Sequence, residues 1–215
     1  MFKQRTITTF IGIPITIAVV WFGEPYFSIM AVIWGGGSVY EFYRIVGTAK
    51  LPPLTWFGLA WTLLFIVSPH FSKFLPTDIL LTTAVIFPLV WLLGVRRKED
   101  AFARWAWTVA GILYIGWLLS YLVLLRGMDG GRNWAFMALF GTFGSDISAY
   151  LVGRAIGRHR LAPNISPAKT WEGAVAGVIG AVLVCIIIVT VLNTSIGYRQ
   201  AILVGVVISV VGQLG

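Results

Sequence analysis

Between residues 173 and 193 the chain reads GAVAGVIGAVLVCIIIVTVLN, a run without a single charged side chain. Crossing the hydrocarbon core of a bilayer takes roughly 20 mostly apolar residues in a helix, and this run is that long. Comparable runs recur at 7–22, 26–46, 54–69, 77–95, 105–125, 134–153 and 199–215, separated by short polar connections. They are continuously apolar rather than alternating, and in lipid each backbone N–H and C=O must be satisfied within its own segment, which favours helices over a barrel. The expected fold is therefore all-α, a polytopic integral membrane helical bundle with about eight transmembrane segments.

Composition agrees. Of 215 residues only 11% are charged and 58% are hydrophobic, against about a quarter charged in an ordinary soluble domain. A separate water-soluble core has no room. The reading divides the chain into N-terminal transmembrane helices, 1–130, and a transmembrane core, 131–215, with a polar loop at 154–172. Segment 1 lacks the small-residue cleavage site of a signal peptide. The Gly35-Gly36-Gly37 run reads as a packing face or a local break, and Pro88 as a kink in its helix.

Lysine and arginine bias orients such a bundle. With the N-terminus in the cytoplasm, the inside regions hold Lys3, Arg5, Arg44, Lys50, Arg96, Arg97, Lys98, Arg104, Arg154, Arg158, Arg160 and Lys169. The outside regions hold Lys73, Arg126, Arg132 and Arg199, so the count is twelve against four. The net charge of +8 is accordingly topology information, with attraction to anionic headgroups as a second consequence. It calls for no nucleic acid partner. The one cysteine, Cys185, lies mid-segment and reads as a small core residue. No metal-binding spacing of Cys and His occurs in the sequence.

One stretch departs from the apolar background: DISAYLVGRAIGRHRLAPNISPAKTWEG, Asp146 to Gly173. Asp146 falls about 10 Å below the cytoplasmic interface, at 1.5 Å per helical residue. Acids at that depth face a bundle interior or an aqueous cavity and pair with cations or metal ions, or they hydrogen-bond a neighbouring helix. At helical spacing Thr142, Asp146, Tyr150, Gly153 and Gly157 share a face. Arg154, Arg158, His159 and Arg160 follow as a cationic collar, which would meet lipid or nucleotide phosphates and equally serves as a topology anchor. Ser166-Pro167 reads as N-cap and first residue of a helix, with Lys169 and Thr170 in its first turn. Free N–H groups there would form a phosphate cradle, and Glu172 would orient Lys169 or hold a cation with Asp146.

These motifs closely resemble bacterial phosphatidate cytidylyltransferases, also called CDP-diacylglycerol synthases. The resemblance is carried by Asp146-Ile-Ser-Ala-Tyr150, by Gly153-Arg154 with Gly157-Arg158-His159-Arg160-Leu161-Ala162-Pro163, and by Ile165-Ser166-Pro167-x-Lys169-Thr170-Trp171-Glu172-Gly173. Arg5-x-Ile7-Thr8, Gly12-Ile13-Pro14 and Tyr40-Glu41-Phe42 look like the same family, in which Ile147 is usually threonine. The resemblance implies a metal-dependent nucleotidyltransferase of the bacterial cytoplasmic (inner) membrane, joining CTP to phosphatidic acid, with its active site facing the cytoplasm. It implies Asp146, Lys169 and Glu172 as catalytic residues, and Tyr150, Arg154, Arg158, Arg160, Ser166, Lys169 and Thr170 as substrate contacts. It also implies Mg2+ held partly by Asp146 and Glu172, membrane lipids as surroundings, and leaves a homodimer open. The family's Lys-Asp, Pro-Gly-His-Gly-Gly-like and Asp-Arg-x-Asp motifs do not occur before Gly215. The remaining metal ligands are therefore expected beyond Gly215, the chain reads as C-terminally truncated, and it is expected to be inactive alone. A non-catalytic headgroup-binding protein or a small anion transporter is the alternative.

Overall fold

In a computed structural model the backbone of residues 2–49, 51–94, 100–163 and 166–214 is described. The side chains of 2–11 and 214 fall outside it, as do Lys50, Arg96, Arg97, Lys98, Glu99 and Ile165, so the readings of Lys3, Arg5, Thr8 and the 96–99 turn lie outside the described residues. The protein is 81% helical. Among the described residues three helices are long and apolar enough to cross a membrane, Ala101–Gly127, Gly131–Ile156 and Trp171–Val191, with shorter apolar helices at Gly12–Phe22, Thr55–Phe71, Thr77–Leu93 and Tyr198–Gln213. An all-α membrane protein is what these helices make. The chain forms two compact units, Met1–Met128 and Asp129–Gly215.

The first unit holds α1 (Phe2–Phe22), α2 (Tyr26–Thr48), α3 (Thr55–Val67), α4 (Thr77–Leu93), α5 (Ala101–Gly111) and α6 (Leu118–Gly127). Helices α5 and α6 are joined without interruption by a π-helical turn, Ile112–Trp117. Glycine decides how closely these helices approach. Gly35 in α2 is buried where a Cβ would collide with Ile66 and Leu119, so the glycine run serves packing and α2 continues through it. Tyr43 lies against Gly58 and Gly111, and its hydroxyl donates to the Thr108 carbonyl at 2.7 Å. Pro88 sits inside a continuous α4. Glu41 and Arg44 pair at 3.9 Å at the exposed end of α2.

The second unit consists of α7 (Gly131–Ile156), a two-stranded antiparallel hairpin of β1 (Arg160–Ala162) and β2 (Ser166–Thr170), α8 (Trp171–Val191) and α9 (Tyr198–Leu214). Its apolar core gathers Met137, Cys185, Val189, Ile196 and Ala201, so Cys185 is the core residue its position suggested. Nearer the hairpin the core gives way to small residues. Gly173, Gly177 and Gly180 of α8 are buried against α7. A Cβ on Gly180 would run into Ser148 and the Gly144 carbonyl, and one on Gly173 into the Ala149 carbonyl. Small residues serve helix pairs in lipid because backbones can then approach and gain van der Waals contact, where hydrophobicity gives no drive.

Gly180→Val should therefore force α7 from α8. The expected loss is about 2 kcal/mol, the scale of overpacking a close-packed interface, read as a lower thermal midpoint in detergent, whereas Gly127→Ala, at an exposed position of α6 with nothing near the added carbon, should cost less than half as much.

Candidate functional site

Three pieces of the second unit meet at the candidate site: the last turns of α7, the hairpin and the first turn of α8. Helix α7 ends at Ile156, and Gly157 turns extended, with φ −63° and ψ 121°, while its N–H still donates to the Gly153 carbonyl at 3.1 Å. The chain then enters β1, which pairs with β2 so that Arg160 lies opposite Thr170 and Ala162 opposite Ser166, with an irregularity between them.

This hairpin corrects one expectation. Ser166 and Pro167 do not open a helix: residues 166–170 are strand, and α8 begins at Trp171. Ladder pairing to β1 holds the segment extended, and a two-stranded ribbon has only edges, where a proline lacking its N–H is tolerated. The cap is Thr170, extended at φ −124° and ψ 155°, whose Oγ1 accepts from the Gly173 N–H at 3.1 Å. Lys169 consequently lies in the strand rather than in the helical turn.

The anticipated face of α7 also divides. Gly153 and Gly157 turn toward Thr170, where a Cβ on either would crowd Oγ1. Asp146 and Tyr150 are instead exposed, with Arg154 one turn further on. Arg154 Nη1 donates to the Tyr150 hydroxyl at 2.8 Å, and its guanidinium sits 5.9 Å from the centre of that ring. Among the described residues Asp146 has no side-chain hydrogen-bond or ion-pair partner. An acid with nothing to neutralise it on a helix apolar enough to span a bilayer calls for water, a cation or a ligand.

The other charged groups have specific partners. Glu172, expected beside Lys169 or Asp146, takes His159: its Oε1 lies 2.7 Å from Nδ1, and both carboxylate oxygens are 3.3 Å from the His159 N–H. The Trp171 N–H donates to the His159 carbonyl at 2.9 Å. Together these bonds close the loop at 157–159 onto the start of α8. Arg160 Nη1 donates to the Pro167 carbonyl across the hairpin. Arg158 is exposed, and its side chain has no partner among the described residues. Half-buried Lys169 donates through Nζ to the Gln213 carbonyl of α9 at 2.9 Å. Gln213 escaped the sequence reading. The signal was present, since Ser209 and Gln213 stand four apart in an otherwise apolar segment.

Among the described residues no three His, Cys, Asp or Glu side chains converge as metal ligands. Mg2+ commonly takes one or two carboxylates and completes its shell with water and substrate phosphates. Asp146 fits that part, whereas Glu172 is already engaged by His159. Between α7 and α8 runs a cleft of about 690 Å³, lined by Val152, Ile156, Val175, Ile179 and Leu183 with Trp171 and Glu172 at the hairpin end. The unit thus combines an apolar membrane-length surface with exposed guanidinium groups and the exposed Asp146 carboxylate on the same helix as Arg154, the equipment for holding an amphiphile with a phosphate head.

The model of the Cytidylyltransferase family matches residues 3–215. The chain belongs to this family. It is 28% identical over 219 residues to the phosphatidate cytidylyltransferase of Bacillus subtilis (strain 168), covering 99% of this chain and 81% of that protein. The enzyme of the same name from Brucella abortus biovar 1 (strain 9-941) is 29% identical over 214 residues, covering 99% and 76%. That of Staphylococcus haemolyticus (strain JCSC1435) is 26% identical over 215 residues, covering 99% and 82%. The candidate site thus lies within a stretch that this cytidylyltransferase shares with its relatives.

Thr170→Val in this cytidylyltransferase should cost about 1 kcal/mol through the lost cap and hasten proteolytic cleavage in the hairpin. Thr170→Ser, which keeps the oxygen, should restore both the thermal midpoint and the cleavage rate.

Proposed function

We propose that this protein is a phosphatidate cytidylyltransferase, forming CDP-diacylglycerol and pyrophosphate from CTP and phosphatidic acid. One observation carries the reading: relatives bearing that name cover 99% of the chain. The physical chemistry of the second unit supports it. A phosphatidate oxygen attacks the α-phosphorus of CTP, a new P–O bond forms, and the bond to the bridging oxygen of the β-phosphate breaks as pyrophosphate leaves. Both reactants are anions, so the protein's task is to bring them together and offset their charge.

In this reading Lys169 contacts phosphate, and Arg154, Arg158 and Arg160 draw the lipid headgroup and the nucleotide to the hairpin. Tyr150, bonded to Arg154, steers that guanidinium. Ser166 and Thr170 shape the hairpin around Lys169, and Glu172 acts through His159 to hold the loop in place. Asp146 is the chain's own candidate for a magnesium ligand. Such an ion, when bound, would offset phosphate charge that the side chains leave uncompensated.

The topology belongs to the same proposal. The eight apolar segments cross the bacterial inner membrane with the N-terminus inside, supported by twelve Lys and Arg in the inside regions against four outside. The hairpin then faces the cytoplasm, where CTP is available. The cleft between α7 and α8 would receive an acyl chain. Membrane lipids are its only other partners in this reading; no nucleic acid is needed, and a homodimer is compatible with it.

The test measures CDP-diacylglycerol formed by the full-length protein from labelled CTP and phosphatidate in magnesium-containing vesicles, alongside CTP binding. Product should require both substrates. Lys169→Ala should weaken CTP binding at least tenfold, about 1.4 kcal/mol, and Asp146→Asn should reduce product while leaving the thermal midpoint within a degree or two. A folded protein that binds phosphatidate or moves anions across the vesicle, but neither binds CTP nor forms product, would instead be a headgroup binder or transporter.

A further inference from the structure

Lys169 is the proposed phosphate contact, yet its ammonium already has a partner. Its Nζ donates to the Gln213 carbonyl at 2.9 Å. The Gln213 side chain is itself doubly held, because Nε2 donates to the Ala174 carbonyl of α8 at 3.0 Å and to Ser209 Oγ at 2.8 Å. A primary amide has two N–H donors, and both are occupied. Ser209 is fully buried and shares a hydrogen bond with buried Ser145 of α7 at 2.8 Å. Polar bonds therefore tie α7, α8 and α9 together beneath the hairpin, with Gln213 at the upper end and Lys169 seated on its backbone.

This arrangement is more than a way of satisfying polar groups in an apolar bundle. Ser145 and Ser209 satisfy one another, so the inner pair would persist without the Gln213 amide. What the amide adds is a link between α9 and the first turn of α8, five residues after Lys169. That link determines where the Gln213 carbonyl lies relative to the strand carrying Lys169. An ammonium has three N–H donors; one bond to a fixed carbonyl leaves two for phosphate oxygens while restraining a flexible four-carbon stem.

We propose that Gln213 is a positioning residue for Lys169, setting the lysine ammonium at the site through its backbone carbonyl while its side-chain amide pins α9 to the start of α8. The inference rests on the cytidylyltransferase reading only for what Lys169 then contacts. The anchoring can be measured without it.

The experiment is competitive acylation of lysine amines in the 215-residue protein in detergent, where both membrane faces are open to the reagent, read by mass spectrometry. Exposed Lys73 serves as internal reference, and thermal midpoints are recorded in parallel. Gln213→Met keeps the size but removes the amide, and should raise Lys169 labelling relative to Lys73 about fivefold with little change in midpoint. Ser209→Ala removes one of the two amide acceptors and should raise it about twofold. In product formation Gln213→Met should lower kcat/KM for CTP about tenfold, and by much less when Lys169 is already alanine. An unchanged Lys169 to Lys73 ratio in both variants overturns the proposal, as does a uniform rise at both lysines with a collapsed midpoint, which would make Gln213 a packing residue. If CTP fails to protect Lys169 in the unaltered protein while Gln213→Met still raises its labelling, the anchor stands and the phosphate-contact reading falls.

Discussion

Close approach of α7 and α8 governs the architecture of the second unit. Gly153 of α7 and Gly173 of α8 meet with no side chain between them, and the space left at Gly157 is occupied by Thr170. Only because that corner is free of side chains can the Thr170 hydroxyl cap α8 from inside the junction. The hairpin then leaves the junction on a defined path, held by Glu172 and His159 on one side and by Lys169 on the other. Adding carbon at the glycines would not simply loosen a helix pair. It would displace the groups proposed to meet phosphate.

The site follows a division of labour between packed and unpacked polar groups. Buried Ser145 and Ser209 satisfy one another and buried Thr170 accepts from the Gly173 N–H, as unpaired polar groups in an apolar setting would be costly. Asp146 and Arg158 have no side-chain partners among the described residues. Condensing two anions is mainly a problem of positioning and charge compensation, and such chemistry suits a scaffold that pairs the polar groups beneath the hairpin and leaves selected charges at the surface.

Several features could be read from residue order because they depend on local physics. The eight apolar segments correspond to helical segments, with α5 and α6 continuous through a π-helical turn, since length and apolarity alone make a helix the way to satisfy a backbone in lipid. The motif block from Asp146 to Gly173 was equally visible, and the family match covers it. The start of α8 was misplaced. Ser-Pro is a good helix opening by local preference, but pairing of Ser166 with Ala162 is a nonlocal bond that local preference cannot weigh. For the same reason Gln213, more than forty residues from Lys169, could not be linked to it.

The sequence by itself determined that this is a helical membrane protein, and its motifs between Asp146 and Gly173 pointed to the cytidylyltransferase family, because hydrophobic length and motif spacing are properties of the chain in one dimension. Tertiary structure alone decided the company each charge keeps: Glu172 with His159, Lys169 with Gln213, Asp146 with no side chain. Those pairings depend on how near two backbones can come, and that distance is set by glycines and serines packing across helices rather than by the identity of the charged residues themselves.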